Sequence, residues 1–380
     1  MKIIVAPDSF KGNQTALAVA DAIERGMRRF NQNLEIIKVP MADGGEGTVD
    51  AAASAAGGQI IKAVVTDPLN GVVEAEYAIL HDGTTAVIEM ASASGLPLVP
   101  DHLKNPGKTS TVGTGELILH ALNSGCKKII LGIGGSATND GGMGAASALG
   151  VKFLDDEGKE TGVTGDDMSR VKKIDMSMLD PRIPNTDILV ACDVSNPFYG
   201  STGAAYIYGP QKGATEEKVI SLDNGLRNLA EVIEKSLGKT IADIPGTGAA
   251  GGLGGGLIAF FNAKLQSGIE LILEAVEFDK TLKNAQLVIT GEGKTDYQTA
   301  FGKVPAGVAA AAKKQAIPVV CFSGALGKKI EELYAVGITA LFSTANREMT
   351  LDYAIENSLI LLEEGAENII RLFCTGKSST

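Results

Sequence analysis

The chain has 380 residues, with 34 Lys and Arg against 45 Asp and Glu, and its formal net charge of −11 argues against a general nucleic-acid or anionic-membrane surface. Any anionic ligand must therefore be caught by local groups. Apolar residues make up 44% and aromatics only 5%, with 47 glycines and no Trp, which excludes a disordered chain and fits an α/β protein with close helix-to-sheet packing. The length suggests about two domains.

Cys126, Cys192, Cys321 and Cys374 are far apart and form no C-x-x-C pair, so a reduced cytoplasm is expected. Met1-Lys2 runs directly into Ile3-Ile4-Val5-Ala6, too short for a signal peptide, and no apolar stretch is long and Gly-free enough to cross a bilayer.

Residues 2–6 read as a strand, 7–14 as the loop at its carboxyl end, and 15–30 as a helix with Leu17, Ala20, Ile23 and Met27 on one face. A second strand at 34–39 leads through Asp43-Gly44-Gly45-Glu46-Gly47 into a helix ending near 56. Two βα units in a row predict a parallel sheet with ligands at the carboxyl ends of its strands. Segments 60–66, 72–80 and 85–90 alternate or are β-branched and read as a hairpin or meander. A helix at 113–124 and a strand at 127–131 follow, then strands near 151–154 and 188–192, a helix at 215–237, and an apolar helix at 257–265. Beyond 284 the βαβ rhythm returns, with strands at 287–290, 318–322 and 338–342, helices at 304–315, 327–336 and 350–373, and a loose tail at 375–380. The predicted fold is two α/β domains: a discontinuous, doubly wound one over 1–65 and 284–380, and a second inserted over 66–283.

The stretch 132–144 breaks from a buried strand into glycines and re-enters a helix, an arrangement that aims unpaired N–H groups at one small volume. Gly134, Gly135, Gly141 and Gly142 let the backbone come close, while Ser136, Thr138, Asn139 and Asp140 add polar groups, so the stretch reads as a phosphate or carboxylate cradle. The alternative is a tight turn with Asn139 or Asp140 as N-cap. Other polar clusters fall at strand ends: Asp8-Ser9-Phe10-Lys11-Gly12, the loop at Asp43, Asp193-Val194-Ser195-Asn196, Gln211-Lys212-Gly213 and Glu292-Gly293-Lys294-Thr295-Asp296. Carboxylates with neighbouring lysines and anion-binding loops suit Mg²⁺-assisted phosphoryl transfer.

Each residue also has a plainer reading. Lys11 and Lys212 fit exposed loop lysines, Asp43 a turn residue, Asp193 an Asx-turn into Asn196-Pro197, and Glu292 and Asp296 helix caps. The three His, at 81, 102 and 120, lie outside the glycine loops, which disfavours a His-based triad or a zinc site. Gly293-Lys294-Thr295 lacks the upstream glycine of a P-loop, so a nucleotide is expected to bind by another arrangement.

Taken together, Ala6-Pro7-Asp8-Ser9-Phe10-Lys11-Gly12, Met41-Ala42-Asp43-Gly44-Gly45-Glu46-Gly47-Thr48, 132–144, Ala191-Cys192-Asp193, Gly209-Pro210-Gln211-Lys212-Gly213-Ala214, 248–256 and Gly291-Glu292-Gly293 with Gly302-Lys303 resemble the type I glycerate kinase family. The match spans nearly the whole chain in one order. The resemblance implies a two-domain α/β kinase with its site in a cleft between domains, using ATP and Mg²⁺ to convert D-glycerate to 2-phosphoglycerate. 3-Phosphoglycerate is the alternative product.

On this reading Lys11 holds the glycerate carboxylate and shares in catalysis, with Asp8, Ser9, Asp43, Gly44 and Gly45 around the substrate. Asp193 serves as base or metal ligand, and Glu292 as a second metal ligand. Gly134, Gly135, Ser136, Asn139, Asp140, Gly141, Gly142, Gly251 and Gly252 meet the ATP phosphates. The implied partners are glycerate and ATP alone, with no nucleic acid or membrane, in a monomer or homodimer. A hydroxy-acid dehydrogenase and a non-catalytic sugar-acid binding protein are the rival classes.

Overall fold

Ile3, Ile4 and Val5 are fully buried, and a strand buried on both faces needs partners at both edges and cover on both sides. The computed structural model, which describes residues 1–377, supplies both. The chain divides into two units, one built from residues 1–43, 50–58 and 269 onward, the other from 44–49 and 59–268.

In the first unit, strands β1 (Lys2–Val5), β2 (Glu35–Lys38), β3 (Leu287–Thr290), β4 (Val319–Ser323) and β5 (Ala340–Ser343) form an all-parallel sheet in the order 2-1-3-4-5. β1 lies inside the sheet between β2 and β3, with Ile4 in register with Ile37 on one side and Val288 on the other. Helices Ala16–Phe30 and Ser358–Lys377 cover one face through Val19, Ile23, Met27, Leu362 and Ile370. Their contact is close because Gly26 has no side chain: a Cβ there would stand 2.1 Å from the Glu363 carbonyl oxygen. The other face is covered by Val304–Lys314 and by Ile269 and Ile272. In this strand order the chain leaves β1 toward opposite sides, and the crevice at the carboxyl ends of β1 and β3 is where such sheets bind ligands.

The second unit holds a six-stranded sheet. Gln59–Thr66, Val72–Ile79 and Thr85–Glu89 form the expected antiparallel meander, and Lys128–Gly132, Asp187–Ala191 and Lys264–Gln266 continue it in parallel. A small hairpin-like pair, Lys152–Leu154 with Lys173–Asp175, packs beside it. Its core is separate and centres on Ile129, Leu131, Val190, Leu226 and Leu257.

Several elements differ from expectation for identifiable reasons. Besides the short excursion at 44–49, the chain passes between units at 58/59 and 268/269, because Gln59–Thr66 pairs with Val72–Ile79 along its whole length and Ile269 and Ile272 join the first unit's core. Leu17 is 41% exposed, and the buried face of its helix runs through Ala16, Val19, Ala20, Ile23 and Met27. The apolar helix near 257 is shifted to Leu253–Phe261, where Asn262 in a left-handed conformation stops it ahead of a strand. The segment expected as helix 327–336 keeps only Glu332–Val336 in that form. The terminal helix is two helices, Leu351–Glu356 and Ser358–Lys377, broken at Asn357. The second runs through the start of the expected tail at 375–377, while 378–380 lie outside the described residues.

Candidate active site

The main-chain ladder of the first unit continues past the ends of its strands. Ala6 N–H donates to Ile289 O at 2.7 Å and Asp8 N–H to Gly291 O at 2.8 Å; on the other side Val39 N–H donates to Val5 O at 2.8 Å and Met41 N–H to Pro7 O at 2.9 Å. This brings Asp8, Asp43 and Glu292 to the ends of three adjacent parallel paths. They line a cavity of about 650 Å³ with Ser9, Lys11, Lys294 and Lys303. Its far wall is apolar, from Phe10, Met349, Leu351, Ala354 and Ile355.

That wall depends on the break at Asn357. Thr350 caps the short helix by accepting the Tyr353 N–H at 3.2 Å, and the Asn13 amide donates to Ile355 O at 3.1 Å and to Ser358 Oγ at 3.0 Å. Asn13 thus takes up a carbonyl freed at the break and ties it to the loop after β1. The wall residues beyond 349 carry no signal in the sequence, because apolar periodicity runs straight through 350–373.

The three carboxylates have different surroundings. Glu292 is buried; its Oε1 accepts the Thr299 hydroxyl at 2.6 Å and the Thr295 hydroxyl at 3.2 Å, and its Oε2 stands 3.8 Å from Lys303 Nζ. Burial raises its pKa, opposed by the Thr299 hydroxyl and the Lys303 charge. Asp8 is only 5% exposed and accepts one hydrogen bond, from Ser9 N–H to Oδ1 at 2.7 Å. Burial, then repulsion from Asp43, pushes its pKa up to about 7, against the Ser9 N–H and Lys11, which pull it down. Asp43 is half-buried and Lys11 exposed.

In the second unit, Gly134 and Gly135 are exposed at the end of Lys128–Gly132, whereas Ser136 through Gly142 are interior. The donors expected to cradle an anion at 141–144 are already used. Gly141 N–H goes to Gly251 O at 3.0 Å, Met143 N–H to Asp140 O at 3.1 Å, and Gly142 and Gly144 N–H to the Asp140 carboxylate at 3.1 and 3.3 Å. Asp140 also accepts the Thr111 N–H at 2.7 Å and the Thr111 hydroxyl at 2.8 Å. Asp140 therefore binds this loop together from inside rather than facing a ligand. Gly251 and Gly252 are interior as well: both have positive φ, and a Cβ on Gly251 would come 2.0 Å from Thr138 O. The Asn139 amide and the Thr138 hydroxyl are buried with no hydrogen-bond partner among the described residues.

Lys212 is the residue whose place the sequence concealed. It is 1% exposed and donates to Ser136 Oγ and to Thr138 O, both at 2.7 Å. Burial lowers its pKa to about 7, although the Asp140 charge opposes the shift. Gly44 and Gly45 pack on the same strand ends. A Cβ on Gly44 would meet that of Ala191 at 2.3 Å, and one on Gly134 would lie 3.3 Å from Gly45 Cα. Asp193 is exposed after Asp187–Ala191 and accepts the Gly268 N–H at 3.1 Å, which links it to another loop.

Among the described residues no three His, Cys, Asp or Glu side chains are gathered to hold a metal ion, and none of the helices is long and apolar enough to cross a membrane. Mg²⁺ in phosphoryl transfer needs only one or two carboxylates, with phosphate and water completing its shell, so the donors present suit it. A buried carboxylate such as Glu292, with one oxygen outside hydrogen bonding, fits that role.

The comparisons agree with the chemistry. Residues 3–374 match the glycerate kinase family. The chain is 51% identical over 377 residues to the glycerate kinase of Halalkalibacterium halodurans and 47% identical over 376 residues to the glycerate 2-kinase of Escherichia coli K12, each match covering 99% of both chains. A crystal structure described as a candidate glycerate kinase 2 from Salmonella typhimurium LT2 superposes with a TM-score of 0.91 at 44% identity, covering 100% of this chain and 99% of that one. The dehydrogenase and non-catalytic binding readings fall away, and this chain belongs to the glycerate kinase family of phosphotransferases.

Proposed function

We propose that this enzyme transfers the γ-phosphoryl group of ATP to the 2-hydroxyl of D-glycerate, with Mg²⁺, giving 2-phosphoglycerate. The observation that carries the reading is the cavity at the ends of β1 and β3, where lysines face carboxylates around a space open to a small hydroxy acid. Lys11 takes the glycerate carboxylate, and Asp8, Ser9 and Asp43 face its hydroxyls. The 2-position follows the Escherichia coli relative, whose name specifies it.

In the second unit the exposed Gly134-Gly135 turn is the part of the glycine loop open to ATP phosphates, with Ser136 held behind it by Lys212. Asn139, Asp140, Gly141, Gly142, Gly251 and Gly252 give that turn its shape. Glu292 would hold Mg²⁺ in the first unit, and Asp193 is the candidate carboxylate in the second. When bound, the ion neutralises charge on the phosphate oxygens. Four cysteines that form no disulfide among the described residues fit a reducing, cytoplasmic setting.

A coupled assay for ADP with D-glycerate, ATP and Mg²⁺, followed by phosphorus NMR of the product, tests the reading. 2-Phosphoglycerate is expected; 3-phosphoglycerate would move the acceptor to the other hydroxyl, and ADP formation independent of glycerate would defeat the proposal. Lys11→Ala should raise KM for glycerate about 10- to 100-fold with a smaller change in kcat, the loss of one charge-assisted hydrogen bond.

A further inference from the structure

A hydroxyl attacking phosphorus must lose its proton, and a carboxylate with an ordinary pKa near 4 is a poor acceptor at neutral pH. Asp8 and Glu292 line the cavity, Asp193 belongs to the second unit, and their surroundings separate the three. Glu292 spends Oε1 on two hydroxyls and turns Oε2 toward Lys303. Asp193 is exposed and takes the Gly268 N–H. Asp8 is nearly buried, lines the cavity, and has only the Ser9 N–H on Oδ1, so Oδ2 has no hydrogen-bond donor among the described residues.

We propose that Asp8 is the general base of the reaction, with Oδ2 as the accepting atom. This rests on the functional reading above and moves the role from Asp193 to Asp8. As the glycerate oxygen bonds to the γ-phosphorus, the bond from that phosphorus to the bridging oxygen breaks, ADP leaves with the electron pair, and the hydroxyl proton passes to Asp8. It returns to water when product departs. The main-chain bond from Asp8 N–H to Gly291 O fixes the residue at the strand end, so the carboxyl is positioned by the sheet rather than by a mobile loop.

The groups around Asp8 set its basicity. Asp43 and Glu292 raise it and Lys11 lowers it, while Lys294 and Lys303 line the same cavity. A proton affinity near neutrality, set mainly by burial, suits a base working near pH 7.

The test is the pH profile of kcat for wild type, Asp8→Asn and Asp8→Glu, with carbon-13 NMR titration of the aspartate carboxyls in wild type, the Asp8 signal assigned by its loss in Asp8→Asn. Wild-type kcat should rise with pH through a single ionisation, and the Asp8 carboxyl of the ligand-free enzyme should titrate near 7. Asp8→Asn should lose at least about 100-fold in kcat and lose that limb, with KM for ATP within a few-fold of wild type, and Asp8→Glu should recover part of the rate and the limb. An Asp8→Asn enzyme that keeps more than a tenth of wild-type kcat, or keeps the limb unchanged, overturns the assignment, as does titration of Asp8 near 4. Wild-type enzyme that forms no ADP with glycerate overturns the functional reading instead, and this role with it.

Discussion

Asp8 and Asp140 are the same residue type, both buried near the carboxyl end of a parallel strand, and they have opposite surroundings. Asp140 accepts four hydrogen bonds shorter than 3.4 Å, from Thr111, Gly142 and Gly144, and has no exposure. Asp8 accepts one and opens onto a cavity. Burial raises the pKa of both, but a carboxylate whose oxygens are filled holds backbone in place, whereas one left short of partners stays open to a ligand. The first unit therefore keeps its reactive capacity at the sheet end, whereas the second uses much of its polar capacity to shape a glycine loop.

The contrast can be broken by substitution. Asp140→Ala leaves the Thr111 and Gly142 donors unpaired in the interior and should cost about 3–5 kcal/mol in urea unfolding of the second unit. Asp8→Ala should cost far less. Equal losses for the two would show that both carboxylates are structural.

Titration sharpens the comparison. Asp8 binds its proton more tightly in the folded state than in the unfolded one, so its contribution to stability is greatest below pH 4 and is lost as pH rises to about 7. Lys212 behaves oppositely: its folded-state pKa of about 7 lies below the ordinary 10.5, so its penalty is full below about 7 and is relieved as pH rises toward 10.5. Melting curves across pH should show Asp8→Asn flattening the lower limb and becoming more stable than wild type above 7, while Lys212→Met flattens the upper limb. Parallel curves for variant and wild type would refute the assignment.

The smallest effect belongs to the cavity wall. Asn13→Ala removes two hydrogen bonds to the helix junction and should cost about 1 kcal/mol. Faster amide exchange is then expected at 351–358, with no change near Gly134. Uniform exchange changes would mean that Asn13 does not act locally.

Much of this architecture was legible because strand ends are legible. Short β-branched runs placed β1 and β3, and the rule that doubly wound sheets bind ligands at the carboxyl ends of their strands pointed to the loops at Asp8, Asp43 and Glu292 together with those at 132–144, Asp193 and Lys212. What the sequence hid depends on tertiary placement. Lys212 reads as a solvated loop lysine until Ser136 and Thr138 are folded over it. The N–H groups of 141–144 look available until Asp140 and Gly251 are seen to occupy them. Nor does local pattern tell that Asp8 is buried and Asp193 exposed, since exposure is set by tertiary packing and not by residue type.

The place of β1 between β2 and β3 has a consequence for biosynthesis. One edge of this strand can pair with β2 as soon as the first forty residues have been made, but the other must wait for β3, nearly 250 residues later. The inserted unit, with its own core, is complete in between. During translation the first βα segment is therefore a half-finished sheet with an open edge, exposed to chaperones and to aggregation until the segment carrying β3 leaves the ribosome.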